Sequence, residues 1–498
     1  MRFKNKRYFT LFLAGLLCVV VFFLFKPEML FSSNGVYSLT KHGNTATGVL
    51  RVGSEPAGEC SHCHIEHASI NGQSTGGPYS YALFASNNNN LCFATGGAGP
   101  CHNGQGAYKI YQGQTAYTQA VHGINSNVKW PGPTPPARIE SDAAGKCLNC
   151  HTPHGYKTAH PNSSNPTTQE LVPSQTIAWE EVLCETCHDS NGPAAGDIKS
   201  DITMPYNHPA NTASYAKRHS AGEGGDSSKY GYLPTNNRHA ECEDCHNVHV
   251  LKTDLHFPPP PAASGRLAGV SGVRPGSASA GQPRTFTYIA SDDSINRTEY
   301  QICYKCHSSW TTQPPGQTDI ALEFNPNNPS YHPVEDTGKN TNINVNAFVN
   351  LWAATKIMYC YDCHGSDNPV RRGPHGSSYR YILKSSYTAG TNMRTMSSTE
   401  LCFNCHKYDT YANDNASSTI KGYSRFNPPQ WSEGHTFHVQ QRQYTCYNCH
   451  DSHSSTTKPH LIVTGRSPGL TNYTETSSGG TCYPTCHGSK TYIINYAR

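Results

Sequence analysis

Cys446-Tyr447-Asn448-Cys449-His450-Asp451-Ser452-His453 decides how the rest of this chain is read. Two thiols three positions apart are followed at once by an imidazole, and a second imidazole comes three residues later. Outward from this stretch, the Cys-x-x-Cys-His spacing recurs at Cys60/Cys63/His64, Cys147/Cys150/His151, Cys184/Cys187/His188, Cys242/Cys245/His246, Cys303/Cys306/His307, Cys360/Cys363/His364 and Cys402/Cys405/His406. Two further pairs depart from it. Cys482/Cys486/His487 has three intervening residues, and Cys92/Cys101/His102 has eight. Together the pairs use every cysteine except Cys18, which lies in an apolar N-terminal run.

Cys-x-x-Cys-His is the attachment pattern of c-type haem. The two thiols add to the vinyl groups of one porphyrin, and the adjacent His lies under the iron as proximal ligand. A zinc ribbon or a dithiol redox pair would not require His after the second Cys in all ten pairs. At the two irregular pairs a disulfide beside an unrelated His is the competing reading. The absence of a leftover cysteine favours haem there too. Ten haem c groups are therefore expected, eight at regular motifs and two at irregular ones.

The chain thus resembles bacterial multihaem c-type cytochromes of the doubled Cys-x-x-Cys-His type, a decahaem member, similar to periplasmic and outer-surface cytochromes of metal-reducing bacteria. The resemblance runs from about residue 40 to the end. It implies a multihaem cytochrome fold: mostly irregular coil, short α-helices at the haem motifs, little β, and a core formed by a chain of stacked haems. Multihaem nitrite reductases are similar but replace one motif His with Lys, and no Cys-x-x-Cys-Lys occurs here. A hydroxylamine-oxidising site needs a Tyr cross-linked to haem, and 30 Tyr leave that open.

The sixth iron ligand separates an electron carrier from an enzyme with an open iron. Only six Met are present, two of them (Met1 and Met29) in or beside the N-terminal run. Of 27 His, 17 remain after the ten proximal ones, enough for bis-His ligation throughout. Low potentials follow from that ligation. Four His recur three residues after a proximal His: His67, His154, His249 and His453. On a short helix such a residue shares a face with the proximal ring. It cannot reach the far side of its own iron but can reach the next haem, stapling neighbours together. Loop candidates for the remaining distal positions are His42, His122, His208, His332, His375 and His438, several flanked by Gly or Pro. His239 competes with these, and His219 and His435 are alternatives. His62 lies inside a motif and is read as pointing away from the iron, while His160, His256 and His460 have no assigned role.

Composition agrees with a cofactor-built interior. Charged residues are 14%, against roughly 25% in ordinary globular domains, and Gly (43) and Pro (34) are frequent. Such a chain is poor material for a large apolar core or long helices. Tyr8–Phe25 is an apolar run with Thr10 its polar residue, preceded by Arg2, Lys4, Lys6 and Arg7. It reads as an export signal, and its length with no clear Ala-x-Ala site favours a retained membrane anchor over cleavage. The five bases and one acid of residues 1–33 account for the whole formal charge of +4, so the remainder is neutral before haem propionates are added. No basic run supports nucleic-acid binding.

Four segments follow: 1–33 signal or anchor, 34–257 with haems one to five, a Pro/Gly/Ser-rich linker at 258–300, and 301–498 with haems six to ten. Arg284–Ile289 reads as a short strand. The expected function is an exported decahaem electron-transfer protein of anaerobic or extracellular respiration, not an enzyme. It would sit in the periplasm, anchored to the inner membrane or alternatively at the outer surface. Its partners would be other cytochromes and an extracellular acceptor. The alternatives are a nitrite- or hydroxylamine-type oxidoreductase with one open haem, and a homo-oligomeric cytochrome filament.

Overall fold

The computed structural model describes residues 37, 40, 42–51, 55–65, 69–70, 73–74, 79, 82–85, 89–93, 102, 120–124, 147–156, 174–176, 180–194, 196–210, 240–252, 258–291, 297–311, 316–426 and 434–494. The chain is mostly coil with short helices and small antiparallel sheets. It forms two compact units. One comprises residues 1–118, 122–187 and 191–194, and the other residues 119–121, 188–190 and 195–498. Among the described residues no helix is long and apolar enough to cross a membrane. The N-terminal run lies outside them.

The motifs were expected on short α-helices, and most form a tighter turn. Cys60–His62, Cys147–Asn149, Cys242–Asp244, Cys360–Asp362, Leu401–Asn404 and Cys446–Asn448 are single 3₁₀ turns. In five motifs one carbonyl takes two donors. Cys60 O accepts from Cys63 N (3.0 Å) and His64 N (2.8 Å), and Cys242, Cys360, Cys402 and Cys446 repeat the arrangement. The turn brings both sulfurs and the imidazole together from five residues, too few for a longer helix to nucleate. In three motifs its start is capped from within by the Asp or Asn before the second Cys. Glu241 N donates to Asp244 Oδ2 (2.8 Å), Tyr359 N to Asp362 Oδ2 (2.8 Å) and Thr445 N to Asn448 Oδ1 (2.9 Å). Helices Glu180–Cys187 and Glu299–His307 carry two other motifs, and Cys482 sits on the strand Gly479–Pro484.

A returning segment then meets the motif His. Isolated bridges pair His64 with Leu83, His364 with Leu383 and His450 with Ile462. Before two of these bridges the chain turns through paired left-handed residues, Tyr381-Ile382 (φ 63° and 53°) and His460-Leu461 (φ 58° and 57°). None is glycine, so the conformation costs on the order of 1 kcal/mol or more per residue. It aims the Tyr381 and His460 carbonyls at the Nδ1 atoms of His364 and His450, each 2.8 Å away.

Apolar burial is divided into small clusters that border the motif cysteines. Phe324, Tyr331, Val334 and Met358 pack beside Cys360 and Cys363. Met396, Phe403, Ala412 and Val439 pack beside Cys446, and Ile462, Leu470, Tyr473, Tyr492 and Ile494 beside Cys449 and Cys482. The stretch 258–300 is not extended linker: Gly272–Pro275 and Phe286–Ile289 form an antiparallel hairpin, the latter within the expected strand. Val273 of this hairpin joins Tyr304, Trp310 and Ala321 in a buried cluster.

Glu299, at the start of helix Glu299–His307, carries a pH prediction. Burial pushes its carboxyl up to about 7 from an ordinary 4.5, only partly opposed by hydrogen bonds from the backbone of Tyr361 and Cys360. The folded protein therefore holds this proton more tightly than the unfolded chain. The resulting stability is fully present below about pH 4.5 and is lost as pH rises to about 7, a span of about 3 kcal/mol. Glu299→Gln should flatten that part of the stability–pH curve, measured by denaturant unfolding between pH 4.5 and 8. An unchanged slope would show that Glu299 titrates normally.

Candidate metal centres

Each motif His that the geometry pairs faces one His from outside the motifs. The ring centres lie 5.9 Å apart for His102 with His42, 6.0 Å for His64 with His154, and 6.1 Å for His307 with His208. They are 6.0 Å apart for His246 with His375, 6.5 Å for His406 with His332, and 6.2 Å for His364 with His453. His450 faces His435 at 6.2 Å, and His487 faces His438 at 6.3 Å. The spacing is narrow across eight unrelated backbone settings. Two imidazoles bonded to one ion from opposite sides, at about 2 Å per metal–nitrogen bond, have ring centres about 6 Å apart. The pairs therefore fit one haem iron each. Both irregular motifs take part, through His102 and His487.

The protonation state suits iron binding, which needs neutral imidazole. Burial pushes His42, His364 and His450 down to about 4 and His375 and His406 to about 3, with neighbouring imidazoles adding to the effect. Burial also lowers His332 and, most strongly, His435. His453 goes the other way. Burial pushes it down, but the hydrogen bond and charge of Glu323, with Asp451, carry it above its ordinary value.

Backbone carbonyls fix many ring orientations. Nδ1 of His208 lies 2.6 Å from Pro374 O, that of His246 2.9 Å from Arg266 O, and that of His332 2.6 Å from Ser452 O. His438 uses Gly434 O (2.8 Å) and His487 uses Gly488 O (2.6 Å). With His364 and His450 this makes seven rings whose Nδ1 edge is occupied, leaving Nε2 for a metal.

The motif thiols lie beside one another in chain order. In the first unit Cys92 contacts Cys147, and Cys150 lies near Cys187. In the second, Cys245 is beside Cys303 and Cys306, Cys303 contacts Cys360, and Cys363 is beside Cys402 and Cys405. Cys402 then contacts Cys446, and Cys449 is beside Cys482 and Cys486. Six consecutive motifs thus follow one another in space as in sequence. No disulfide joins the described motif cysteines, which leaves their sulfurs available for thioethers.

Seven of the expected distal residues stand opposite a motif ring: His42, His154, His208, His332, His375, His438 and His453. The helical reason given for the residues three after a proximal His does not hold. His151 and His154 lie on the strand His151–Tyr156, and Ser452 and His453 form a bend, so neither pair of rings shares a helical turn. His435, an alternative rather than a leading loop candidate, faces His450. Its signal was Gly434-His435-x-x-His438, two imidazoles in a segment without motif cysteines. His122 and His249 are the described candidates outside these eight pairs, and His151 and His188 the motif histidines outside them. His67, His239 and Cys101 lie outside the described residues, as do His219, His160 and His256. His62 is buried, with Nδ1 accepting from Arg51 N (3.2 Å) and Nε2 2.8 Å from Pro56 O. Its role is structural.

Of the five aromatics that follow the first Cys of the later motifs, four have packing roles, and Tyr483 is exposed. Tyr304 is fully buried, its hydroxyl donating to Glu335 (2.7 Å), and Phe403 is buried in its cluster. Tyr361 lies under the Lys384 ammonium (3.5 Å) and Tyr447 under the Arg466 guanidinium (3.6 Å).

Paired thiols, each pair followed by a His, with eight of those rings opposite a second imidazole, fit haem attachment of the c-type cytochrome kind. The family model described as cytochrome c554 and c-prime matches residues 99–189, and supports a haem-based electron-transfer protein. Comparison with curated proteins and with solved structures gave no match.

Proposed function

We propose that the chain carries ten haem c groups, each iron held between a motif His and a second His, and that it relays single electrons for respiration to an acceptor beyond the inner membrane. The observation that carries this reading is the set of eight ring pairs, each joining one motif His to one other His at about 6 Å. When bound, the group supplies reversible one-electron chemistry at iron. The chain's own residues position it. The thiols would attach the porphyrin, the paired imidazoles would hold its iron, and the backbone carbonyls hold the rings so that redox cycling would need little rearrangement. For the irons of His151 and His188 the remaining distal candidates are His67, His122, His239 and His249. The chain-order contacts of the motif thiols from Cys245 to Cys486 favour a single file of six haems.

Paired imidazoles leave no axial position for nitrite or hydroxylamine. The ferric spectrum of the purified protein should accordingly be wholly low-spin. A high-spin component amounting to one haem in ten would overturn the carrier reading in favour of an oxidoreductase. We place the haem-bearing part outside the cytoplasmic membrane, held by the Tyr8–Phe25 segment. Retention in the membrane fraction after a salt wash supports this, and a mature start near Ser33 would contradict the anchor.

A further inference from the structure

Seven paired rings rest their Nδ1 edge on a backbone carbonyl. His453 departs from that pattern: its Nδ1 lies 2.6 Å from Glu323 Oε2, a carboxylate at the end of the helix Ile320–Glu323. Phe324 packs its ring against His453 at 5.2 Å, holding the imidazole between the helix end and His364. Asp451 completes a tight group with these two side chains. Its oxygens are committed elsewhere, however: Oδ1 to His453 N (3.0 Å) and Oδ2 to the Arg466 guanidinium (3.0 Å). That cation argues against a separate metal ion there and leaves Glu323 as the acidic partner of the ring.

From this geometry we propose that Glu323 is a positioning residue that lowers the reduction potential of the iron between His364 and His453. The inference rests on the ligation reading above. A carboxylate accepting the Nδ1 proton draws it away from the ring and makes the opposite nitrogen a stronger donor. Stronger donation and a nearby negative charge both favour ferric over ferrous iron. The step concerned is addition of one electron, supplied by the neighbouring haem, with no bond made or broken and the Nδ1 proton retained between the two side chains. The motif concerned, Cys360/Cys363, is third of the six that follow in file. Glu323 therefore places a low-potential station inside the file rather than at an end.

The test uses the full-length holoprotein and its Glu323→Gln and Glu323→Ala variants, with spectropotentiometric titration and electron paramagnetic resonance of the ferric form. Gln keeps a hydrogen-bond acceptor but removes the charge. It should keep all haems attached and low-spin while favouring reduction of one haem by about tenfold, or 59 mV for one electron. Ala should shift the same haem further. Unchanged steps in both Glu323 variants would overturn the tuning role, as would loss of the low-spin signal in Glu323→Gln, which would mark a merely structural contact. His453→Ala separates the two levels. If it leaves all iron low-spin, the ligation reading itself has failed.

Discussion

Replacing His453 with Ala should leave the haem at Cys446/Cys449 attached and turn a different iron high-spin, the one bound by His364. The thioethers and His450 are untouched by the change, and His450 faces His435, not His453. His453 instead stands 6.2 Å from His364, a residue 89 positions earlier in the chain. The variant should therefore lose the low-spin signature of one haem, gain a water-bound or high-spin signal of the same size, and raise that haem's potential, since a strong nitrogen donor is gone. Visible and electron paramagnetic resonance spectra read all three. A high-spin signal traced to Cys446/Cys449 would mean that His453 serves its own motif, and would remove the link between the fifth and third haems of the file from the account.

Arg284→Met should destabilise the second unit by about 3–5 kcal/mol, the cost of leaving one member of a buried ion pair without its partner. Arg284 Nη1 and Glu335 Oε1 are 2.6 Å apart with both side chains 5% exposed. The same Glu oxygen accepts from the Tyr304 hydroxyl, and Arg284 also donates to the carbonyls of Gly276 (2.8 Å) and Ala321 (3.0 Å). Burial already pushes the Glu335 carboxyl up, and Arg284 is the main force opposing that shift. Removing the guanidinium strands a carboxylate in a low-dielectric site and frees two carbonyls. Arg284→Met with Glu335→Leu should recover much of the loss, because an apolar pair of similar volume carries no stranded charge. Denaturant unfolding of the holoprotein measures both. A single variant within about 0.5 kcal/mol of the parent would show that the pair is not buried in solution.

That ion pair also marks where sequence reading stopped. Residues 258–300 spell a linker by composition, since Pro, Gly, Ser and Ala promise no core. Their order comes from distant donors. Asn325 Nδ2 donates to the carbonyls of Ala278 (3.0 Å) and Ser279 (3.1 Å), and Gly281 N donates to Asn328 Oδ1 (3.0 Å). No periodicity announces an Asn some 47 residues away.

The attachment motifs, by contrast, were legible because their chemistry is local: five residues hold both thiols, the imidazole and often the capping Asp or Asn. The second imidazoles were legible only as a set. Counting histidines gave enough of them, and seven of the chosen ones stand opposite motif rings. Their partners are set by how the chain returns, as when His375 meets His246 or His332 meets His406. His435 is only an alternative by sequence because nothing in Gly434-His435-x-x-His438 says that one turn supplies two rings to two different motifs. The left-handed pairs Tyr381-Ile382 and His460-Leu461 were hidden for a different reason. They are not glycine, so nothing in their identity predicts the conformation that orients His364 and His450.

The most direct measurement of the central claim is the mass of the intact, denatured chain purified with its cofactors. The account predicts ten covalent haem additions. That count includes one at Cys482/Cys486, whose His487 faces His438, and one at Cys92/Cys101, whose His102 faces His42. Eight additions, with those four cysteines recovered as free thiols or disulfides, would contradict it.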